Sequence, residues 1–239
     1  MKRHLSSILC CAGAVIMLAA CGGNKTKKAA AEEEAEAARL DSLKKIELQE
    51  KMKEVETLLP LLPEEPVFDI VTNLGTMKVK LYANTPKHRE NFARLALKGD
   101  YDGLLFHRVI NGFMIQGGDP YTRDTALVAQ YGTGGPGYTI PAEIRPEYRH
   151  KKGALAAARR GDAANPKKES SGSQFYIVQS EAACASLDGE YTVYGETIEG
   201  LDVIDKIANV PTDRRNLPLS PVRILTIKLD EVSKPEGME

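Results

Sequence analysis

Tryptophan is absent from this chain, cysteine and histidine each occur only 4 times, and aromatic residues make up 6%. Each scarcity excludes something. The histidines are scattered without metal-ligand spacing, so neither a metal site nor a cofactor is expected. Cys10 and Cys11 fall in an N-terminal segment, 1–20, read as removed, and Cys21 directly follows that segment, outside the folded part. Only Cys184 then remains in the folded part, which excludes an intramolecular disulfide there. Cys184 reads as a small buried hydrophobe. An excess of charge is also lacking, because 32 Lys and Arg face 33 Asp and Glu for a net charge of -1. That balance argues against nucleic acid as a partner. The basic pairs Arg159-Arg160 and Lys167-Lys168 sit among Gly, Asp, Asn and Ser and read as a solvated loop. No run approaches the ~20 apolar residues of a membrane-spanning helix. Ile8 to Ala20 is the longest candidate, and after Lys2 and Arg3 it suits the core of a signal peptide.

Leu18-Ala19-Ala20-Cys21-Gly22 closes that run. It resembles the bacterial lipobox, which implies a signal peptide over 1–20 and a lipidated Cys21. The resemblance further implies an envelope protein attached to a membrane by its lipid. Gly22 carries no acidic retention signal, so the expectation is an outer-membrane anchor facing the periplasm.

At 239 residues the chain suits one domain with appendages. Residues 21–28 read as a polar tether. Residues 29–59 contain neither Gly nor Pro and are rich in Ala, Glu, Lys and Leu, which favours a long helix. Fully helical, they would extend about 45 Å. Three readings of this helix stand side by side. It could serve as a solvated spacer, as a dimer contact through residues 40–59, or as an element packed on the domain that follows. Pro60, Pro63 and Pro66 end it and make 60–66 a linker.

From Val67 the pattern turns to short strands. Val67–Thr72 and Thr76–Tyr82 predict a hairpin through Asn73-Leu74-Gly75. Thr85-Pro86 predicts a helix start, running towards Leu97 and stopped by Gly99-Asp100. Further strands are predicted at 105–109, 113–116, 153–158, 175–179, 192–194 and 222–231, with a second helix at 201–207. Short strands, two helices and glycine-punctuated turns suggest a closed antiparallel barrel with helices over its ends. Residues 67–232 form this domain, and 233–239 are a tail.

Phe106-His107-Arg108-Val109-Ile110-Asn111-Gly112-Phe113-Met114-Ile115-Gln116-Gly117-Gly118-Asp119 closely resembles the most diagnostic segment of the cyclophilin family. Gly132-Thr133-Gly134-Gly135, Gly172-Ser173-Gln174-Phe175-Tyr176-Ile177, Leu187-Asp188-Gly189 and Val193-Tyr194-Gly195 match later family motifs in the family's order. Thr85-Pro86 with Asn91-Phe92 also fits. The resemblance spans roughly 67–231 and does not reach 1–60.

It implies an eight-stranded antiparallel barrel capped by two α-helices, preceded here by the long N-terminal helix. It also implies a peptidyl-prolyl cis–trans isomerase acting on proline-containing unfolded or extended chains. Arg108 matches the family's catalytic arginine. Phe113, Met114 and Leu187 match the pocket for the proline ring. Gln116 matches a residue that binds substrate backbone and holds the arginine. Ala158 and Arg159 match positions beside the residue preceding proline, and Tyr191 one where many members carry His. Strand alternation puts Gln174 and Tyr176 on one face, the substrate side in the family, with Phe175 towards the core. His107 reads as packing, since isomerisation transfers no obligatory proton.

Four departures stand out. Tyr176 adds a hydroxyl to what is commonly Phe. Asn111 replaces a usual Pro. Ser186 replaces a Trp that helps bind cyclosporin in sensitive members, so weak inhibition is expected. The loops 120–131 and 161–171 are longer than in compact members and flank the groove. The competing expectation is a groove that binds proline-containing chains without turning them over.

Overall fold

The computed structural model describes residues 25–235, with side chains from residue 32 onward. The signal-peptide reading of 1–20, Cys21 and residues 236–239 lie outside the described residues. The chain divides into two compact units, 1–49 and 50–239. Helix α1, Lys25–Leu58, carries the Gly- and Pro-free stretch. In the first unit, Leu40, Leu43, Ile46 and Leu48 are exposed. In the second unit, Val55 and Leu58 of α1 are buried, and Glu56 pairs with Arg94. No described helix is long and apolar enough to cross a membrane.

The second unit is an antiparallel sheet curled around one core. Its strands are β1 (Val67–Thr72), β2 (Gly75–Leu81), β3 (Arg108–Ile110), β4 (Met114–Gly117), β5 (Thr139–Ile140), β6 (Ala154–Arg159), β7 (Ser170–Val178), β8 (Val193–Glu199) and β9 (Ile224–Leu229). Eight of them follow the order β3-β4-β7-β6-β8-β2-β1-β9, and β5 pairs with β7. The chain ahead of β3 brings the two ends together. Leu105 bridges Arg223, and Phe106 N–H donates to Val222 O at 2.9 Å.

Helices α2 (Pro86–Lys98) and α4 (Leu201–Ala208) cover the core. They bury Phe92 and Leu95, and Ile204 and Ile207, against Phe68, Ile70, Phe106, Phe175 and Ile177. A four-residue helix, α3 (Glu181–Cys184), follows β7. Thr85 precedes α2 as expected, but its side chain does not cap it. The Glu143 carboxylate does so from 55 residues away, accepting from Lys87 N–H at 3.1 Å and His88 N–H at 2.9 Å. A helix start needs acceptors for its first N–H groups, and any oxygen the fold delivers will serve.

Alternation along the strands builds two faces. Val109, Ile115, Leu155, Ala157, Phe175 and Ile177 point into the core. Met114, Ala154, Ala156, Ala158, Tyr176 and Val178 form a second apolar cluster on the outer face, joined by Phe113, Leu187 and Tyr191. Cys184 is buried in this second cluster, which pushes its thiol up to about 11.

Candidate active site

The outer cluster sits where four strands, β3, β4, β7 and β6, lie side by side. Arg108 pairs with Gln116 across β3 and β4, Gln116 with Tyr176 across β4 and β7, and Tyr176 with Ala156 across β7 and β6. Since paired residues share a face, one cation, one amide and one phenol are brought into a row.

A tight turn aims the aromatic wall. Phe113 N–H donates to Ile110 O at 3.1 Å, and Gly112 has φ of +77°. That φ at the third turn position favours glycine, while Asn111 before it keeps a negative φ that Pro or Asn can both supply. Asn111 accepts from Gln179 Nε2 at 3.2 Å and donates to Asn209 Oδ1 at 2.9 Å. The turn is thus tied to α3 and α4's flanking loops without a proline.

The polar half of the site is a chain of amides. Arg108 Nη1 donates to Gln116 Oε1 at 3.3 Å, and Gln116 Nε2 to Gln174 Oε1 at 3.0 Å. Gln174 Nε2 donates to Gly132 O at 3.0 Å and Gly134 O at 2.7 Å. Asp119 grips the same glycine loop through its N–H groups, with Oδ2 accepting from Gly132 and, at 3.2 Å, from Gly134. A Cβ on Gly134 would lie 2.0 Å from Asp119 Oδ1, so only glycine fits this approach.

Arg108 is half-buried, with its Cζ 5.9 Å from the Phe113 ring centroid and Nη1 3.7 Å from Met114 Sδ. Burial lowers its pKa from the ordinary value, with Tyr191 opposing. A guanidinium stays charged under such a shift. The result is a cation flanked by an apolar pocket. His107 is buried behind it, and burial lowers its imidazole pKa while Asp119 opposes.

The expected residues Arg108, Phe113, Met114, Gln116, Gln174, Tyr176, Leu187 and Tyr191 all border this one region. Ala158 lies at an irregularity where the β6–β7 ladder steps from Ala157↔Phe175 to Arg159↔Ser170. The Arg159 side chain is 4% exposed and already engaged. It stacks 4.3 Å over the Tyr191 ring and donates to Glu190 O at 3.1 Å. The Arg159 side chain is thus taken up by its neighbours, which leaves its backbone as the group it can offer to a ligand. Ser186 is exposed beside Leu187.

Two residues with work at the site carried no role in the sequence reading. Asp119 was visible only as the end of a motif. His150 sits between Arg149 and Lys151, a basic run that looks like solvated surface, yet its ring is buried against Tyr176.

The barrel thus carries a guanidinium beside an apolar pocket on its outer face. Comparison with known proteins shows its family. The model of the family described as cyclophilin type peptidyl-prolyl cis-trans isomerase/CLD matches residues 67–229. A Neurospora crassa peptidyl-prolyl cis-trans isomerase-like 1 is 38% identical over 71% of this chain and 96% of its own length. An Acinetobacter baylyi peptidyl-prolyl cis-trans isomerase is 35% identical over 69% of this chain and 86% of its own. The chain spans only 28% of a longer Rhizopus delemar relative, peptidyl-prolyl cis-trans isomerase-like 2. A crystal structure of a Cryptosporidium parvum cyclophilin type isomerase superimposes with a TM-score of 0.62 and 32% identity, covering 70% of this chain and 98% of that one. The same protein in the presence of the dipeptide Ala-Pro gives a TM-score of 0.60. The chain belongs to the cyclophilin-type peptidyl-prolyl cis–trans isomerase family, a family of enzymes.

Proposed function

We propose that this chain accelerates rotation about X–Pro bonds in exported proteins, with Arg108 as the catalytic residue. The observation that carries the reading is the Arg108 guanidinium, anchored by Gln116 beside Phe113 and Met114. The X–Pro amide resists twisting through resonance, with a barrier of ~18–20 kcal/mol. Twisting localises a lone pair on the prolyl nitrogen. A donor aimed at that nitrogen binds the twisted state better than either planar isomer, which is all that catalysis requires. Lowering the barrier by about 7 kcal/mol would speed exchange about 10⁵-fold. The apolar walls hold the ring and exclude the water that favours the planar, polar amide. Gln174 and the backbone at 158–159 align the rest of the chain.

Turnover of a short X-Pro reporter peptide tests this. Fast exchange in the parent, largely lost in a folded Arg108→Ala variant, supports the reading. A well-folded parent without turnover overturns it, and leaves a groove that binds proline-containing chains.

The exported clients follow from the proposed lipid anchor at Cys21, supported by its place at the end of the apolar run. Mass spectrometry of the mature N-terminus and membrane flotation test it. An unlipidated chain, or flotation unchanged in Cys21→Ala, overturns the anchor. A dimer through 40–59 draws its support from the exposed Leu40, Leu43, Ile46, Leu48 and Met52. A concentration-independent monomer in sedimentation overturns that contact.

A further inference from the structure

Tyr176 does not end within the pocket it lines. Its hydroxyl lies 2.8 Å from His150 Nε2, and the planes of the two rings are nearly parallel at 9°. His150 Nδ1 lies 2.8 Å from Asp188 Oδ1, which also accepts from the His150 backbone N–H at 2.8 Å. Asp188 directly follows Leu187 and is held by Arg149 Nε at 3.1 Å. The His150 side chain is 0% exposed.

The partners decide where the protons sit. Burial would raise the Asp188 carboxyl, but the His150 backbone and ring bonds outweigh it and hold the group below its ordinary value. As an ionised carboxylate it only accepts, so Nδ1 carries the imidazole hydrogen and Nε2 is bare. Burial raises the Tyr176 hydroxyl, which therefore keeps its proton and donates to Nε2. The chain runs Tyr176 O–H to His150, then His150 N–H to Asp188, with one polarity throughout.

This chain crosses three segments: β7, the loop ahead of β6, and the turn that carries Leu187. Two walls of the proline pocket are joined through an imidazole that belongs to neither. We propose that His150 and Asp188 are positioning residues that hold Tyr176 and Leu187 at the spacing a proline ring needs, and that protonation of His150 loosens this grip. The inference rests on the isomerase reading of the pocket.

A protonated imidazole donates from both nitrogens. Tyr176 O must then accept, and its own hydrogen turns away from His150 into the apolar cluster that surrounds the ring. Burial lowers the His150 pKa from its ordinary 6.5, against the opposing pull of Asp188. The groups facing the ring are Asp188, Arg149, Tyr176 and Tyr191, with Cys184 and Arg159 acting on Tyr176. Imidazole is the one group type among them whose ordinary titration falls between pH 5 and 8. Grip is therefore full at neutral pH and lost as pH falls through the imidazole's lowered value, on the acid side of its ordinary 6.5.

The test uses the whole chain, with folding checked by circular dichroism at each pH. Nitrogen-15 NMR, assigned with His150→Gln, reads the tautomer, and the Nδ1–H form is expected at neutral pH. Reporter-peptide kinetics are followed as the pH is lowered from neutrality, each variant normalised to its own value at neutral pH. In the parent, kcat/KM should fall roughly fivefold or more through one protonation, mainly by a rise in KM. The fall should vanish in Tyr176→Phe and His150→Gln. In Asp188→Asn it should move to lower pH, because the carboxylate that raised the imidazole pKa is gone. An Nε2–H tautomer, a flat parent profile or an unchanged fall in Tyr176→Phe overturns the proposal. A folded parent without turnover at any pH overturns the isomerase reading instead, and the tautomer still decides the hydrogen-bond chain.

Discussion

Arg108 and Gln116 face each other across β3 and β4, and the guanidinium Nη1 lies 3.3 Å from the amide oxygen. The cation is thus held by a neutral acceptor. A carboxylate in that place would form a full ion pair and spend the charge before substrate arrives.

Replacing Arg108 by Ala should lower kcat/KM about 10²–10³-fold, the range found when one transition-state donor is removed. The fold should survive, because the side chain is only half-buried and its partner Gln116 keeps Gln174. Arg108→Lys should recover little, since an ammonium lacks the planar fork. Reporter kinetics beside thermal melts check both.

Gly134→Ala tests the cradle behind Gln174. The new Cβ would meet Asp119 Oδ1 at 2.0 Å and the Tyr121 ring at 2.9 Å. Overpacking of this kind costs about 1–3 kcal/mol. The loop should shift and release the Gln174 amide. Denaturant melts should show the loss of stability, and the reporter assay a fall in activity beyond what unfolding explains.

The remote cap on α2 makes stability depend on pH. Burial raises the Glu143 carboxyl, but its bonds from the His88 ring and the two backbone N–H groups outweigh this and lower its pKa overall. A carboxyl depressed in the folded state contributes stability above its unfolded pKa of about 4.3. That contribution is lost as pH falls through the lower, folded value. Glu143→Gln should lower the melting temperature at pH 7 and flatten its dependence on pH in the acid range. A variant with the parent's acid profile would contradict the assignment.

Ser186 is exposed beside Leu187, where sensitive relatives of the family carry Trp. Cyclosporin should inhibit the chain weakly, and Ser186→Trp should tighten inhibition by about tenfold or more, near 1.4 kcal/mol. Equal inhibition of both forms in a titration would sink this prediction.

Much was legible in residue order, and the reasons are local. The β1–β2 hairpin, α2 with its Gly99 stop and α4 follow from turn residues and apolar periodicity over a few positions. The row Arg108, Gln116, Gln174 and Tyr176 could be placed because strand alternation assigns a face to each residue. The same alternation separated Phe175, now in the core, from its neighbours. Strand limits were less legible. β7 begins at Ser170 rather than Phe175, because pairing with β5 extends it through a stretch of Ser and Gly.

The sequence by itself determined which side chains the proposed chemistry would draw on: a guanidinium, two amides and the apolar walls, in a fixed order along the chain. Only the tertiary structure decided what holds them. Glu143 caps α2, Asp119 grips the glycine loop, and the Tyr176 hydroxyl ends on His150 rather than in the pocket. Each of these joins groups 13 to 56 residues apart. Turn propensity and strand alternation act over a few residues. A hydrogen bond between distant segments exists only once the barrel has closed and excluded the water that would otherwise satisfy both partners.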